Sequence, residues 1–269
     1  MAAAVRVGFV GAGKMAQALA RGFLAAGLTK GSNIVASCPP QDEHLLKEFQ
    51  ALGAQTTHSN ASVAQQCDVV VLAVKPHVMP AVLDDMRASV TSGHVVLSIA
   101  AGVSVQSIED RLEPGCRVLR AMPNTAVQVR CGASVLVRGT SATDEDARTT
   151  SALLRAVGSC DLVAEQLVDA VTALSACGPA YLYVAAEAMA DGAVKMGVPR
   201  DLAQRLAAQT VAGAGRMAVE SGRHPAQLKE DVMTPGGCTA AAIHRLEDFR
   251  FRAALMGAVE AATLHNRRA

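Results

Sequence analysis

Two short stretches of the chain carry residue types at spacings suited to chemistry. Near the start, Val5-Arg6-Val7-Gly8-Phe9-Val10-Gly11-Ala12-Gly13-Lys14-Met15-Ala16 runs an apolar, strand-like segment into Gly-x-Gly-x-x-Ala. Gly11 permits a tight turn, Gly13 lets a pyrophosphate approach the backbone, and Ala16 is small enough for a following helix to pack close on the strand. That helix, expected from Gln17 to Ala26 and stopped by Gly27, offers unpaired N–H groups and a positive dipole end to phosphates. The plainer alternative is an ordinary strand-to-helix turn; the strand before it and the helix after it favour a dinucleotide cradle at Gly11, Ala12, Gly13, Lys14 and Met15. Much later, Thr234-Pro235-Gly236-Gly237-Cys238-Thr239 leads into a helical Ala240–Leu246. Proline fixes φ, glycine is free to take φ > 0, and successive glycines leave backbone N–H groups open just before a helix starts. That combination makes a second anion cradle, in which the Thr239 hydroxyl either caps the helix or reaches a ligand.

Three further strand ends line up with the first cradle. Ser37-Cys38-Pro39 has no acid until Asp42, so nothing there repels a ribose 2′-phosphate, and no Arg or Lys stands close by to favour one. NADPH is therefore permitted, with NADH as a second reductant. Ala73-Val74-Lys75-Pro76 closes the apolar run Val69-Val70-Val71-Leu72, and Lys75 there serves either a cofactor group or the solvent. Ile99-Ala100-Ala101-Gly102 closes another run with residues small enough for a flat nicotinamide ring to lie on the backbone. Arg120 holds either a substrate acid or a structural ion pair, the latter being the simpler reading.

The elements that must position these residues follow two rhythms. Up to about Glu165, short β-rich runs (Val5–Val10, Asn33–Ser37, Asp68–Val74, Val95–Ile99, Arg117–Met122, Ser134–Val137, Cys160–Val163) alternate with helical stretches (Gln41–Leu52, Val78–Ser89, Ser104–Leu112, Asp144–Ala156). This predicts an α/β fold with a mostly parallel, doubly wound sheet whose last two strands turn antiparallel. After Glu165 the strand signal stops, and helices are expected over Gln166–Ala176, Pro179–Met196, Arg200–Glu220, Pro225–Val232 and Thr239 to about His265. The chain thus divides into a Rossmann-like dinucleotide-binding domain over 1–164 and an all-α C-terminal domain over 165–269.

Composition narrows the class. The 269 residues are 51% hydrophobic but only 3% aromatic, and the formal net charge is +1. Scattered basic residues give no nucleic-acid surface and no polybasic membrane patch. Seven cysteines lie apart, without Cys-x-x-Cys or Cys/His spacing for a metal, which predicts free thiols and no metal site. The first strand starts too early for a cleaved leader, and no apolar stretch looks long and charge-free enough to span a bilayer. The expectation is a soluble, cytoplasmic protein. On the helix expected at Pro179–Met196, Glu187, Asp191 and Lys195 form one stripe and nearly everything else is apolar or small. Such a helix is buried either inside its own domain or, the reading favoured here, by a second subunit.

These residues together resemble pyrroline-5-carboxylate reductases, over the whole chain, through Gly8-Phe9-Val10-Gly11-Ala12-Gly13, Ala73-Val74-Lys75-Pro76, Ala100-Ala101-Gly102, Met122-Pro123-Asn124, Gly178-Pro179-Ala180-Tyr181, Ala190–Gly197 and Pro235-Gly236-Gly237-Cys238-Thr239. Among them the third, cytosolic animal form looks most similar. The resemblance implies reduction of L-1-pyrroline-5-carboxylate to L-proline with NADPH or NADH and no metal, in a homodimer assembling into a larger ring, often a decamer. It also implies cofactor contacts from Ser37, Asn60, Lys75 and the Ala73–Pro76 backbone, beside Ile99 and Ala101. Thr234, Gly236, Gly237 and Thr239 would hold the substrate carboxylate, with Thr239 as the catalytic hydroxyl at the ring nitrogen. One departure stands out: relatives often carry Glu just before a His-Pro, where this chain has Ser221-Gly222-Arg223-His224-Pro225. Two competing readings remain: a different imine or β-hydroxy-acid reductase on the same plan, the latter needing a helix-borne catalytic Lys for which Lys195 is the candidate although a surface role for it is simpler, and a cofactor sensor without catalysis.

Overall fold

The computed structural model describes residues 5–267. Eight strands form one sheet: β1 (Val7–Val10), β2 (Ile34–Ser37), β3 (Gln55–Thr57), β4 (Val69–Leu72), β5 (Val95–Ser98), β6 (Arg117–Met122), β7 (Gly132–Arg138) and β8 (Gly158–Leu162), in the order β3-β2-β1-β4-β5-β6-β7-β8. β1 to β6 are parallel; β7 pairs antiparallel with β6, and β8 pairs parallel with β7. The last two strands therefore run against the other six, as expected from the sequence. The strand order reverses at β1, which lies between β2 and β4, and this switch point opens a crevice at the carboxyl ends of those strands.

Alternation along the strands builds a core on each side of the sheet. Phe9, Val71, Leu97, Leu119 and Leu136 join one buried cluster with Phe23 and Phe49, the Phe9 and Phe49 rings lying 5.4 Å apart. Val10, Val70, Leu72, Val96 and Val118 face the other, against Met79, Leu83, Met86 and Ile108. The central strands are covered on both faces, which is why Val69–Leu72 reads as an unbroken apolar run.

Several elements differ from expectation. The first helix begins at Lys14 rather than Gln17. The short edge strand β3 and the helix Asn60–Gln66 carry too few apolar residues to announce themselves. Gln41–Leu52 is a 3-10 turn, Pro40–Leu45, followed by a helix, Leu46–Ala51. Gln166–Ala176 opens with short helical turns and ends in a π-helical turn, Thr172–Ala176. Thr239 to His265 is two helices, Cys238–Asp248 and Phe251–Asn266, broken where Arg250 takes φ +55°.

The chain forms two compact units, one reaching Ala176 and including the segment from His265, the other Cys177–Leu264. Residues following Glu165 still belong to the sheet unit: Val168 is buried in its second cluster, and the Asn124 side-chain amide donates to the Ser175 carbonyl (3.1 Å). The second unit holds the helices Gly178–Lys195, Arg200–Ser221, Pro225–Asp231 and Cys238–Asp248 and most of Phe251–Asn266. Among the described residues its buried apolar cluster consists of Ala190, Ala203 and Ala207. Leu182, Tyr183, Val184, Met189, Leu206 and Met217 are exposed. The helix Gly178–Lys195 is thus not buried inside its own unit, where Ala190 is its one buried residue. The expectation that no stretch has the length and composition of a membrane span also needs correction: the continuous helical run Glu165–Lys195 is 31 residues long and contains an 18-residue window of mean hydropathy 1.3. Its turns change type at Thr172–Ala176, which hid its full length from the sequence pattern.

Candidate functional site

The candidate cofactor site belongs to the sheet unit. Gly11 follows β1 with φ +97°, and its N–H donates to the Ser37 carbonyl (2.9 Å). A Cβ at Gly11 would stand 2.6 Å from the Ala73 carbonyl oxygen, so only glycine fits between the ends of β2 and β4. The buried Gln17 amide donates to the Ala12 carbonyl (2.9 Å) and holds the turn from within. Gly13 is the N-cap of the helix Lys14–Ala25; no side chain caps it, and a Cβ there would meet no protein atom within 4 Å. An uncapped helix start beside open space is what a pyrophosphate requires, so the residues present fit a dinucleotide. Lys14 is exposed and Met15 half-buried, whereas Ala12 and Ala16 are buried.

The remaining predicted cofactor residues gather at neighbouring strand ends. Ala73 N–H donates to the Val10 carbonyl (2.8 Å), binding the end of β4 to that of β1. Ala73 and Val74 are half-buried; Lys75 and Pro76 are exposed, and Lys75 makes no ion pair among the described residues. After β5, Ile99 N–H donates to the Leu72 carbonyl (3.1 Å), Ala100 is buried, Ala101 is exposed and Gly102 takes φ +73°. Ser37 is completely buried, and its hydroxyl donates to Asn60 Oδ1 (2.7 Å). Asn60 is half-buried and its Nδ2 donates to Asp85 Oδ2 (3.1 Å). Sequence reasoning missed Asp85: it comes from the helix Met79–Met86, and no spacing rule links it to Asn60.

Arg120 is buried and pairs with Glu165 (2.9 Å), which also accepts from the Val105 N–H (2.8 Å). It is therefore a structural ion pair tying β6 to the start of the helix Val105–Glu109. Asn124 is likewise engaged, its Oδ1 accepting from the N–H groups of Ala126 and Ala133. A cavity of about 680 Å³ near Glu109, Thr140, Asp144 and Glu165 is lined by none of the predicted site residues. Among the described residues no group of His, Cys, Asp and Glu is placed to hold a metal.

The second cradle lies in the helical unit. The Gly237 N–H donates to the Thr234 carbonyl (2.9 Å), closing a turn in which Gly236 takes φ +69°. A Cβ on Gly237 would run into the Thr234 hydroxyl. Gly237 is itself the N-cap of the helix Cys238–Asp248, and no side chain caps it. The open question of the Thr239 hydroxyl is thereby answered in part: it is not the cap. Thr239 is half-buried in the first turn and its hydroxyl makes no hydrogen bond among the described residues, while Thr234 and Cys238 are exposed. Backbone donors and one unengaged hydroxyl converge at a helix N-terminus, a geometry that takes a carboxylate.

In the segment Ser221–Pro225, where the sequence departs from the pattern that the resemblance implies, Gly222 ends the helix Arg200–Ser221 at φ +61°. His224 Nδ1 accepts from the Ala226 N–H (3.2 Å), capping the next helix. Arg223 is held by Asp231 (2.6 Å), and the guanidinium keeps that carboxyl below its ordinary range. Glu220 is engaged by Arg216 one turn away. Lys195 is exposed at the end of its helix.

Comparison with known proteins adds what geometry alone does not. Residues 165–269 match a family model described as pyrroline-5-carboxylate reductase dimerisation, and residues 6–102 one described as NADP oxidoreductase, coenzyme F420-dependent. The chain is 50% identical to pyrroline-5-carboxylate reductase 3 of Rattus norvegicus, covering 96% of this chain and 93% of that one. It is 47% identical to pyrroline-5-carboxylate reductase 2 of Bos taurus, covering 97% of this chain and 82% of that one. Among solved structures, the enzyme from Coxiella burnetii aligns with TM-score 0.92 at 34% identity, covering 99% of this chain and 98% of that one. The Plasmodium falciparum enzyme, solved with NADP bound, aligns at 0.86 and 30%, covering 98% and 97%. The first unit is thus an NADP-binding domain, the helical segment is a dimerisation domain that makes the protein a homodimer, and the chain belongs to the pyrroline-5-carboxylate reductase family.

Proposed function

We propose that the protein reduces L-1-pyrroline-5-carboxylate to L-proline, the last step of proline biosynthesis, with NADPH or NADH. The observation that carries this reading is the uncapped turn at Thr234–Thr239, a carboxylate cradle with one free hydroxyl, in a chain of this family.

When bound, the nicotinamide supplies the hydride that adds to the carbon of the ring C=N bond. The residues of this chain hold and orient. Gly11, Ala12, Gly13, Lys14 and Met15 receive the pyrophosphate; Lys75, with the Ala73–Pro76 backbone, serves a phosphate or hydroxyl; Ile99 and Ala101 flank the nicotinamide ring. Ser37 is buried, so its part is to fix Asn60 beside the ribose. In the second unit, Thr234, Gly236 and Gly237 hold the substrate carboxylate. Thr239 then presents its hydroxyl to the ring nitrogen, donating or relaying the proton that the nitrogen takes up as it becomes the product amine. Protonation at nitrogen makes the neighbouring carbon more electrophilic, so orientation of two rings supplies most of the remaining acceleration. No separate general acid is assigned.

The apolar helix Gly178–Lys195 is covered by a second copy of the chain and not by lipid, a reading supported by its place in the dimerisation segment and by the charged stripe of Glu187, Asp191 and Lys195. The dimers assemble further into a ring, a decamer as the family resemblance implies. Assignment to the third, cytosolic animal form is supported by 50% identity to the rat form 3 against 47% to the bovine form 2, and it carries a cytoplasmic location. Microscopy of a fluorescent fusion tests that location.

The deciding experiment follows oxidation of NADPH and NADH at 340 nm with pyrroline-5-carboxylate and purified protein. Rapid turnover is expected. A folded oligomer that binds NADPH and turns over neither cofactor would defeat the reading.

A further inference from the structure

The hydrogen bonds that begin at the end of β2 finish on an acid. Ser37 Oγ donates to Asn60 Oδ1 (2.7 Å), and Asn60 Nδ2 donates to Asp85 Oδ2 (3.1 Å). In a doubly wound dinucleotide fold, the carboxyl end of the second strand is where the ribose 2′ position is read, usually by an acid on that strand itself. Here the strand ends on Ser37, which is completely buried with its proton committed to Asn60. The polar surface beside it is the half-buried Asn60 amide, and the charge behind that amide is the exposed Asp85 carboxylate.

That charge is uncompensated. Asp84, its neighbour on the same helix, is paired with Arg111 (3.1 Å), whereas no basic side chain pairs with Asp85 among the described residues. The amide is also committed in a particular sense. Its oxygen is turned to Ser37 and one of its two Nδ2 hydrogens to Asp85, which leaves one hydrogen for a ligand. A 2′-phosphate carries close to two negative charges and needs several donors; a 2′-hydroxyl needs one partner and feels no repulsion.

We propose that Asp85, acting through Asn60, is a specificity-determining residue that penalises the 2′-phosphate of NADPH relative to the 2′-hydroxyl of NADH. The acid that this fold ordinarily carries on β2 is supplied from the helix Met79–Met86. The proposal rests on the reductase reading for the cofactor and on the two hydrogen bonds for the residue.

Asp85→Asn tests it, because the substituted amide still accepts from Asn60 but carries no charge. Affinities for NADP+ and NAD+ are measured by titration calorimetry, and kcat/KM for NADPH and NADH with pyrroline-5-carboxylate. Asp84→Asn is the control for general surface charge. In Asp85→Asn the NADP+:NAD+ affinity ratio and the NADPH:NADH ratio of kcat/KM are expected to rise on the order of three- to ten-fold at low ionic strength, a gain that shrinks in 0.5 M salt because a Coulombic penalty between exposed groups is screened. In Asp84→Asn neither ratio should move. An unchanged ratio in Asp85→Asn, or an equal rise in both variants, overturns the proposal. The calorimetry needs no turnover: a protein that binds both cofactors and reduces nothing defeats the reductase reading, while the affinity ratio still decides the role of Asp85.

Discussion

Gly11 lies against the end of β4 so closely that a single added carbon would stand 2.6 Å from the Ala73 carbonyl oxygen. Two glycines apart by one residue therefore do different work. Gly11→Ala meets both this clash and φ +97°, and should lose about 2 kcal/mol or more of stability together with cofactor affinity. Gly13→Ala meets no protein atom within 4 Å and should cost less than about 1 kcal/mol, yet it fills the space where a pyrophosphate must approach. Urea melts and NADP+ titration on both variants check this. The expected pattern is a destabilised Gly11→Ala and a stable Gly13→Ala that binds NADP+ at least tenfold more weakly; tight binding by Gly13→Ala would remove that residue from the cradle.

What the sequence makes legible follows from which forces are local. Val69–Leu72 is readable because a strand covered on both faces must be apolar throughout, and Thr234–Thr239 because Pro-Gly-Gly constrains its own backbone. β3 is not, since a three-residue edge strand of Gln55, Thr56 and Thr57 is held by its neighbour and shows no pattern of its own. The break at Arg250 escapes for a related reason. A left-handed residue is announced by glycine or asparagine, and here an arginine takes that conformation, its N–H donating to the Glu247 carbonyl (2.9 Å). Asp85 is the clearest case within the site: its bond to Asn60 spans two helices and exists only once they pack.

Cys67 gives a pH dependence. Burial pushes its thiol up to about 11 from an ordinary value of 9.0. The folded state therefore keeps its proton where the unfolded chain releases it, so stability is unaffected below about pH 9 and declines as pH rises toward about 11. Thermal melts across this window should show a steeper fall for the wild type than for Cys67→Ala, whose neighbours lose packing but carry no titrating group there. Parallel curves would mean that this thiol does not contribute to alkaline unfolding.

The helical unit predicts its own dependence on a partner. Leu182 and Met189 are seven residues apart on the helix Gly178–Lys195, exposed, and on the side away from Glu187, Asp191 and Lys195. Leu182→Glu puts a charge into the face that, in the proposed assembly, a second subunit covers, and desolvating it without a counter-ion costs several kcal/mol. Light scattering at micromolar concentration should find the wild type a dimer or larger and the variant shifted toward monomer, with lower activity. A wild-type monomer would sink the interface, and a variant that stays fully assembled would remove Leu182 from it.

Thr239 is the hydroxyl at the second cradle that neither caps the helix nor bonds to another described residue, since Gly237 already occupies the cap position. In the proposed function this unengaged side chain, next to backbone donors suited to a carboxylate, meets the ring nitrogen of the substrate. On that reading its removal takes away a contact at the ring nitrogen and leaves the first cradle, Gly11–Met15 in the other unit, unaltered. Thr239→Ala should therefore lower kcat by about tenfold to a hundredfold, the range of a modest proton-transfer contribution, while NADP+ affinity stays within twofold of wild type. Thr239→Ser, which keeps the hydroxyl, should recover most of the loss. Steady-state kinetics with cofactor titration on the three proteins separates the cases: equal kcat in Thr239→Ala and wild type removes Thr239 from the mechanism, and failure of serine to rescue assigns its role to packing by the methyl group instead.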